Sequence, residues 1–177
     1  MRPTVFLFEK KLEPKGQVSE QLLANTWIAV KNVSRKELME KFELQVSLNL
    51  NWDAGLLLKN DESRGLGGNF LMPPSLDGWT ILVGDSFNNN SEMIKTCKEL
   101  SIEYGEMYFC SYIASSEKNI WIYGNEGVME KWETEEEDLE REANNLPFDF
   151  RKFNNQLKFK DVLLCKNKKS QNQMRLW

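Results

Sequence analysis

The sequence predicts an α+β fold: a single domain with a mostly antiparallel sheet of about six to eight strands and three or four helices packed on it. Three observations carry this expectation. Leu44, Val46, Leu48, Leu50 and Trp52 alternate with polar residues, the period of a half-buried strand. Met93, Ile94, Cys97, Leu100 and Tyr104 recur instead at helical spacing, as one apolar helix face requires. Met107–Ala114, Asn119–Tyr123 and Val128–Trp132 follow one another across short turns, the pattern of an antiparallel meander.

Taken in order, Thr4–Phe8 reads as a short first strand, and a helix near Val18 gives way to a strand near Thr26. Ser34 with Glu37 fits a capping box opening a helix that carries Leu38, Met39 and Phe42 on one face. The alternation from Leu44 to Trp52 follows, with one face of its strand expected to be buried. Asp61–Asn69 is charged and then glycine-rich, a loop. Phe70–Met72 runs into Pro73-Pro74, and Asp77-Gly78 turns the chain into a strand of Trp79, Ile81 and Val83. That strand face is expected to pack on the helix of Ile94, Cys97 and Leu100, making the motif scaffold rather than binding site. Ser91 is placed as that helix's cap and Gly105 at its end. Thr134 with Glu137 reads as a second capping box, for a helix running to about Asn144. The domain is drawn over residues 1–165, with 166–177 as a frayed basic tail.

The chain has 177 residues, 41% of them apolar and 28% charged, proportions of an ordinary globular domain with a real core. The apolar patch Val5–Phe8 is shorter than a signal-peptide core, and no run approaches the roughly 18 apolar residues of a membrane span. The expected setting is cytoplasmic. Cys97, Cys110 and Cys165 are odd in number and widely spaced, so buried reduced thiols are expected rather than a disulfide framework or zinc site. Charge is uneven along the chain. Met129–Asp149 holds nine acids against two bases, whereas Phe150–Trp177 holds eight bases against one acid. Such asymmetry marks solvated faces or surfaces that meet a charged partner.

There is no histidine. That excludes serine– or cysteine–histidine nucleophiles and the histidine-bearing zinc hydrolase motifs. RGLGGNF, Arg64–Phe70, lacks the spacing of a phosphate loop. Asp53, Asp77 and Asp85 neighbour apolar strands and could serve a carboxylate-based, metal-dependent hydrolase, though all three also fit turns. Lys158, Lys160, Lys166, Lys168, Lys169 and Arg175 lie among Phe159 and Trp177, a combination that can hold single-stranded nucleic acid. The acidic segment KWETEEEDLERE offers Glu133, Glu135, Glu136, Glu137, Asp138 and Glu140 to a cationic surface, with Trp132 as an aromatic anchor.

Several motifs occur together in order: Asn51-Trp52-Asp53-Ala54-Gly55, Pro73-Pro74, Asp77-Gly78-Trp79-Thr80, Val83-Gly84, Leu100-Ser101, Tyr104-Gly105-Glu106, Phe109, Trp121, and Thr134 with Glu137 and Leu139. This series, covering roughly residues 49–140, resembles a family of small bacterial α/β proteins. Some of these look like immunity proteins encoded beside polymorphic or contact-dependent growth inhibition toxins. The chain departs from the pattern after Trp121, and its first 48 residues and basic tail have no counterpart there. The resemblance implies a binding protein with no reaction of its own, no cofactor and no metal. Its partner would be the C-terminal domain of a cognate toxin, expected to be a nuclease because the inhibitor is acidic. Direct binding of nucleic acid by the basic segment and a hydrolase remain the alternatives.

Overall fold

The computed structural model describes residues 18–23, 25–59, 69–84, 90–113, 115–153 and 161–168. The elements run α1 (Val18–Leu23), β1 (Trp27–Lys31), α2 (Arg35–Lys41), β2 (Leu44–Leu50), α3 (Trp52–Lys59), β3 (Asn69–Met72), β4 (Trp79–Val83) and α4 (Asn90–Tyr104). They continue with β5 (Glu106–Ile113), β6 (Lys118–Asn125), β7 (Val128–Glu135), α5 (Leu139–Asn144) and β8 (Val162–Asn167). The eight strands form one antiparallel sheet in the order β2-β8-β3-β4-β1-β5-β6-β7. The α+β class and the β5–β6–β7 meander stand as expected. Thr4–Phe8, Arg64–Gly68, Asp85 and most of the basic tail lie outside the described residues.

The sheet is covered on both faces. One face, the tryptophan face, buries Trp27, Trp52, Trp79, Trp121, Phe148, Phe150 and Phe153; the other, the helix face, buries Ile28, Leu38, Leu82, Met93, Cys97, Leu100, Phe109 and Ile122. This double cover explains why the central strands WIAVK and WTILV are buried almost from end to end, and apolar apart from Lys31 and Thr80, rather than alternating. It also corrects one expectation. Trp79, Ile81 and Val83 do share a side, but it is the tryptophan face; α4 lies across the sheet from them, in the cluster that holds Ile28, Met107, Phe109 and Ile122. Ile94, assigned to the contact, is 38% exposed.

Five helices rather than three or four occur among the described residues, and the extra one is α3. Trp52 ends no strand: the Asn51 carboxamide accepts the Ala54 N–H at 2.8 Å, so asparagine caps a helix that Trp52 begins. The Trp52 indole then donates to Gln21 Oε1 at 2.6 Å, tying α3 to α1. The clearest alternation in the sequence also misleads about burial. β2 is an edge strand whose register shifts between Val46 and Leu48. An inserted residue sends the side chains after it to the opposite face. Leu44 thus sits across from Asn167 and Val46 from the helix-face residue Cys165, whereas Leu48 and Leu50 sit with the tryptophan-face residues Leu164 and Val162. Val46 and Leu48 are left 47% and 48% exposed.

Local signals fared better. The Ser34 hydroxyl accepts the Glu37 N–H at 3.1 Å while the Glu37 carboxylate accepts the Ser34 N–H at 2.9 Å. Asp77 and Gly78 take positive φ and let Leu76 and Trp79 exchange both backbone bonds, closing a two-residue hairpin. Ser91 is not the cap of α4, which already begins at Asn90. β8 runs through Asn167, past the boundary drawn at residue 165, and lies inside the sheet between β2 and β3. No helix among the described residues is long and apolar enough to cross a membrane.

All three cysteines are buried and free. Burial pushes the Cys97 thiol up to about 12 and Cys165 to about 11, and raises Cys110 as well. A thiol this poor in thiolate and this enclosed is a poor nucleophile. The native protein at mildly alkaline pH should therefore give no fast phase with an aromatic disulfide reagent, and three equivalents of reaction should appear only on adding denaturant. A fast equivalent from the native state would place one thiol at an open surface.

Candidate interaction site

The acidic segment is built outward from the end of β7. Trp132 stacks on Trp121 across the β6–β7 pair, with ring centroids 6.1 Å apart and planes 6° from parallel. Its indole nitrogen donates to Glu142 Oε2 at 3.3 Å, holding α5 back over the tryptophan face. Trp132 is thus half-buried by its own chain. Thr134 is buried, and its hydroxyl accepts the Trp121 indole N–H at 2.9 Å.

That bond overturns the second capping box. A threonine still in the strand and committed to a core indole cannot also cap a helix. The chain instead passes through a 3₁₀ turn at Glu136–Asp138 before α5, and neither start has a side-chain cap. Glu135, Glu136, Glu137 and Asp138 consequently occupy a strand end and a tight turn, not the first turns of a long helix. This arrangement spreads the acids in two directions. Glu133 lies across from Ile120, on the helix face, whereas Trp132 and the 3₁₀ turn belong to the tryptophan face.

Between this turn, α5 and a second 3₁₀ turn at Phe150–Lys152 lies a cleft of about 380 Å³. Leu23, Leu139, Ala143 and Phe150 give it an apolar lining, while Glu136, Glu137 and Glu140 supply carboxylates. A wider hollow beside it is lined, among the described residues, by Glu117, Glu135, Glu136 and Glu137. Several neighbouring acids are already neutralised. Asp149 accepts from Arg151 Nε at 2.8 Å and from the Arg151 N–H at 2.9 Å, which holds its carboxyl below the usual range. Asp138 pairs with Arg141 at 3.1 Å and Glu135 with Lys118 at 3.5 Å. Glu136, Glu137 and Glu140 are exposed and make no ion pair among the described residues.

The other flagged residues do not converge. Asp53 is exposed in the first turn of α3, and Asp77 pairs with Lys152 at 2.7 Å in the hairpin before β4. Among the described residues, no group of three or more His, Cys, Asp or Glu side chains is placed to hold a metal ion. Lys166 belongs to β8, and Lys168 follows it on the surface. Trp52, Pro73, Trp79 and Gly84 are buried and structural, with Pro74 half-buried beside them; Gly78 and Gly105 serve at a turn and a helix end. The apolar lining of the cleft was not legible in the sequence. Leu23 and Phe150 come from opposite ends of the described chain, and the only hint was the run of phenylalanines after Pro147. No protein-family model, curated protein or solved structure matches the chain.

Proposed function

We propose that this protein is an immunity protein that binds and neutralises a cognate toxin domain in a one-to-one complex, and that the toxin is a nuclease. The observation that supports this reading best is the cleft, where carboxylates of Glu136, Glu137 and Glu140, with no ion pair among the described residues, border the apolar side chains of Leu23, Leu139, Ala143 and Phe150. An apolar centre with a charged rim is the anatomy of a protein interface: the centre excludes water, and the rim steers encounter. A nuclease fits because its substrate is polyanionic and its groove must be cationic. Carboxylates held on a short turn meet such a groove without first being ordered.

The test begins with capture of the tagged protein from its own cells, identification of what is bound, and co-expression with that partner. Recovery of the C-terminal domain of a large secreted protein, whose toxicity co-expression suppresses, is the expected result. Converting Glu136, Glu137 and Glu140 together to lysine should then slow association by about tenfold or more at low salt, with the difference shrinking as salt is raised. Association unaffected by the triple reversal would remove the cleft from the interface. Capture of nucleic acid in place of a protein would sink the inhibitor reading itself.

A further inference from the structure

The two edges of the sheet differ. β2 carries a register shift in mid-strand, and a bulge is one way natural edges are blunted against further pairing. β7 pairs with β6 without interruption from Val128 to Glu135, and among the described residues no strand pairs with its far side. The connection before it is the two-residue turn Glu126-Gly127, both with positive φ, closed by Asn125 and Val128. In such a hairpin the closing pair is hydrogen-bonded and the pairs alternate from there. Val128, Glu130, Trp132 and Thr134 therefore turn their main-chain groups towards β6. Met129, Lys131, Glu133 and Glu135 turn theirs outward.

Charges on an edge strand ordinarily repel a second strand; here their order decides the outcome. A two-fold copy of β7 can bond only outward-facing residues to outward-facing residues. An axis through Lys131 sets lysine against lysine, and one through Glu133 sets glutamate against glutamate. An axis through Trp132 sets Lys131 opposite Glu133 twice, Glu130 opposite Thr134, and Met129 opposite Glu135. Only this last central register brings no like charges together. Lys131 and Glu133 project from the same side of the strand, both are exposed, and neither makes an ion pair among the described residues. Across the axis, the half-buried Trp132 would meet its own copy on the tryptophan face, adding an aromatic contact.

We propose that β7 is a self-association edge, through which two copies of this chain pair antiparallel about Trp132 into one continuous sheet. The proposal stands apart from the inhibitor reading, since Glu137, Glu140 and Phe150 do not lie on this edge.

Sedimentation velocity of the full chain, from low micromolar to near-millimolar concentration, tests it. The expected mass rises with concentration from 20.7 kDa to twice that value. Lys131→Glu and Glu133→Lys should each weaken the dimer by about tenfold or more, because both symmetric contacts become repulsive. The double variant Lys131→Glu/Glu133→Lys should recover it. An equimolar mixture of the two single variants should dimerise more tightly than either alone, since the mixed pair restores opposite charges at both contacts. Both positions are exposed, and circular dichroism of each variant checks that the fold is intact. A single-chain mass at every concentration overturns the proposal. So does a dimer indifferent to the single reversals, or a mixture no tighter than its components.

Discussion

Trp79→Ala should lower stability by about 3–5 kcal/mol, the usual cost of truncating a core tryptophan. For a chain of this size that corresponds to a melting temperature lower by roughly 6–20 °C. Trp79 is 2% exposed. Its ring lies 5.1 Å from Phe148 and 5.6 Å from Tyr108, with Lys31 Nζ 5.9 Å above it. Alanine would leave a cavity bounded by rigid rings from the sheet and from the segment after α5, which cannot easily collapse. A double-mutant cycle identifies the face. Trp79→Ala with Phe148→Ala should be coupled by about 0.5–3 kcal/mol, because each substitution removes the other's contact. Trp79→Ala with Leu100→Ala should be additive, since the sheet separates them. Coupling to Leu100 instead would return Trp79 to the α4 side. Near-native stability of Trp79→Ala would remove it from the scaffold.

The division between what was legible and what was not follows the range of the interactions. Ser34 and Glu37 are three residues apart and satisfy each other, so the sequence alone announces them. The hairpins at Asp77-Gly78 and Glu126-Gly127 are equally local. Thr134 has the same spelling as Ser34, but its hydroxyl is claimed by Trp121, a contact across strands that no short window contains. The alternation from Leu44 to Trp52 fails for two separate reasons: a bulge reverses the faces midway, and Asn51 starts a helix before Trp52. At the candidate site, the carboxylates were visible as charge. The apolar lining was not, because Leu23, Leu139 and Phe150 become neighbours only once α1, α5 and the second 3₁₀ turn are laid on one face.

Gly84→Ala should destabilise the protein by about 1–3 kcal/mol through overpacking. A Cβ at this position would collide with Cδ1 of Phe70 and stand 2.8 Å from its Cε1. Phe70 is 5% exposed and belongs to the helix-face core, so its ring has no open space to enter. Gly105, which ends α4, answers to different physics. It has φ +98° and nothing within 4 Å of a Cβ, so Gly105→Ala should cost roughly 1–2 kcal/mol from the backbone alone. The two causes separate by rescue. Asparagine tolerates positive φ, so Gly105→Asn should be milder than Gly105→Ala, whereas Gly84→Asn should be worse than Gly84→Ala. Conversely, Phe70→Leu should recover part of the loss in the Gly84→Ala background and none of it in Gly105→Ala. The readout is the urea midpoint at unchanged slope. If Gly84→Ala falls within about 0.5 kcal/mol of the parent, as ordinary surface changes do, the close approach of Gly84 to Phe70 is not what holds β3 and β4 together.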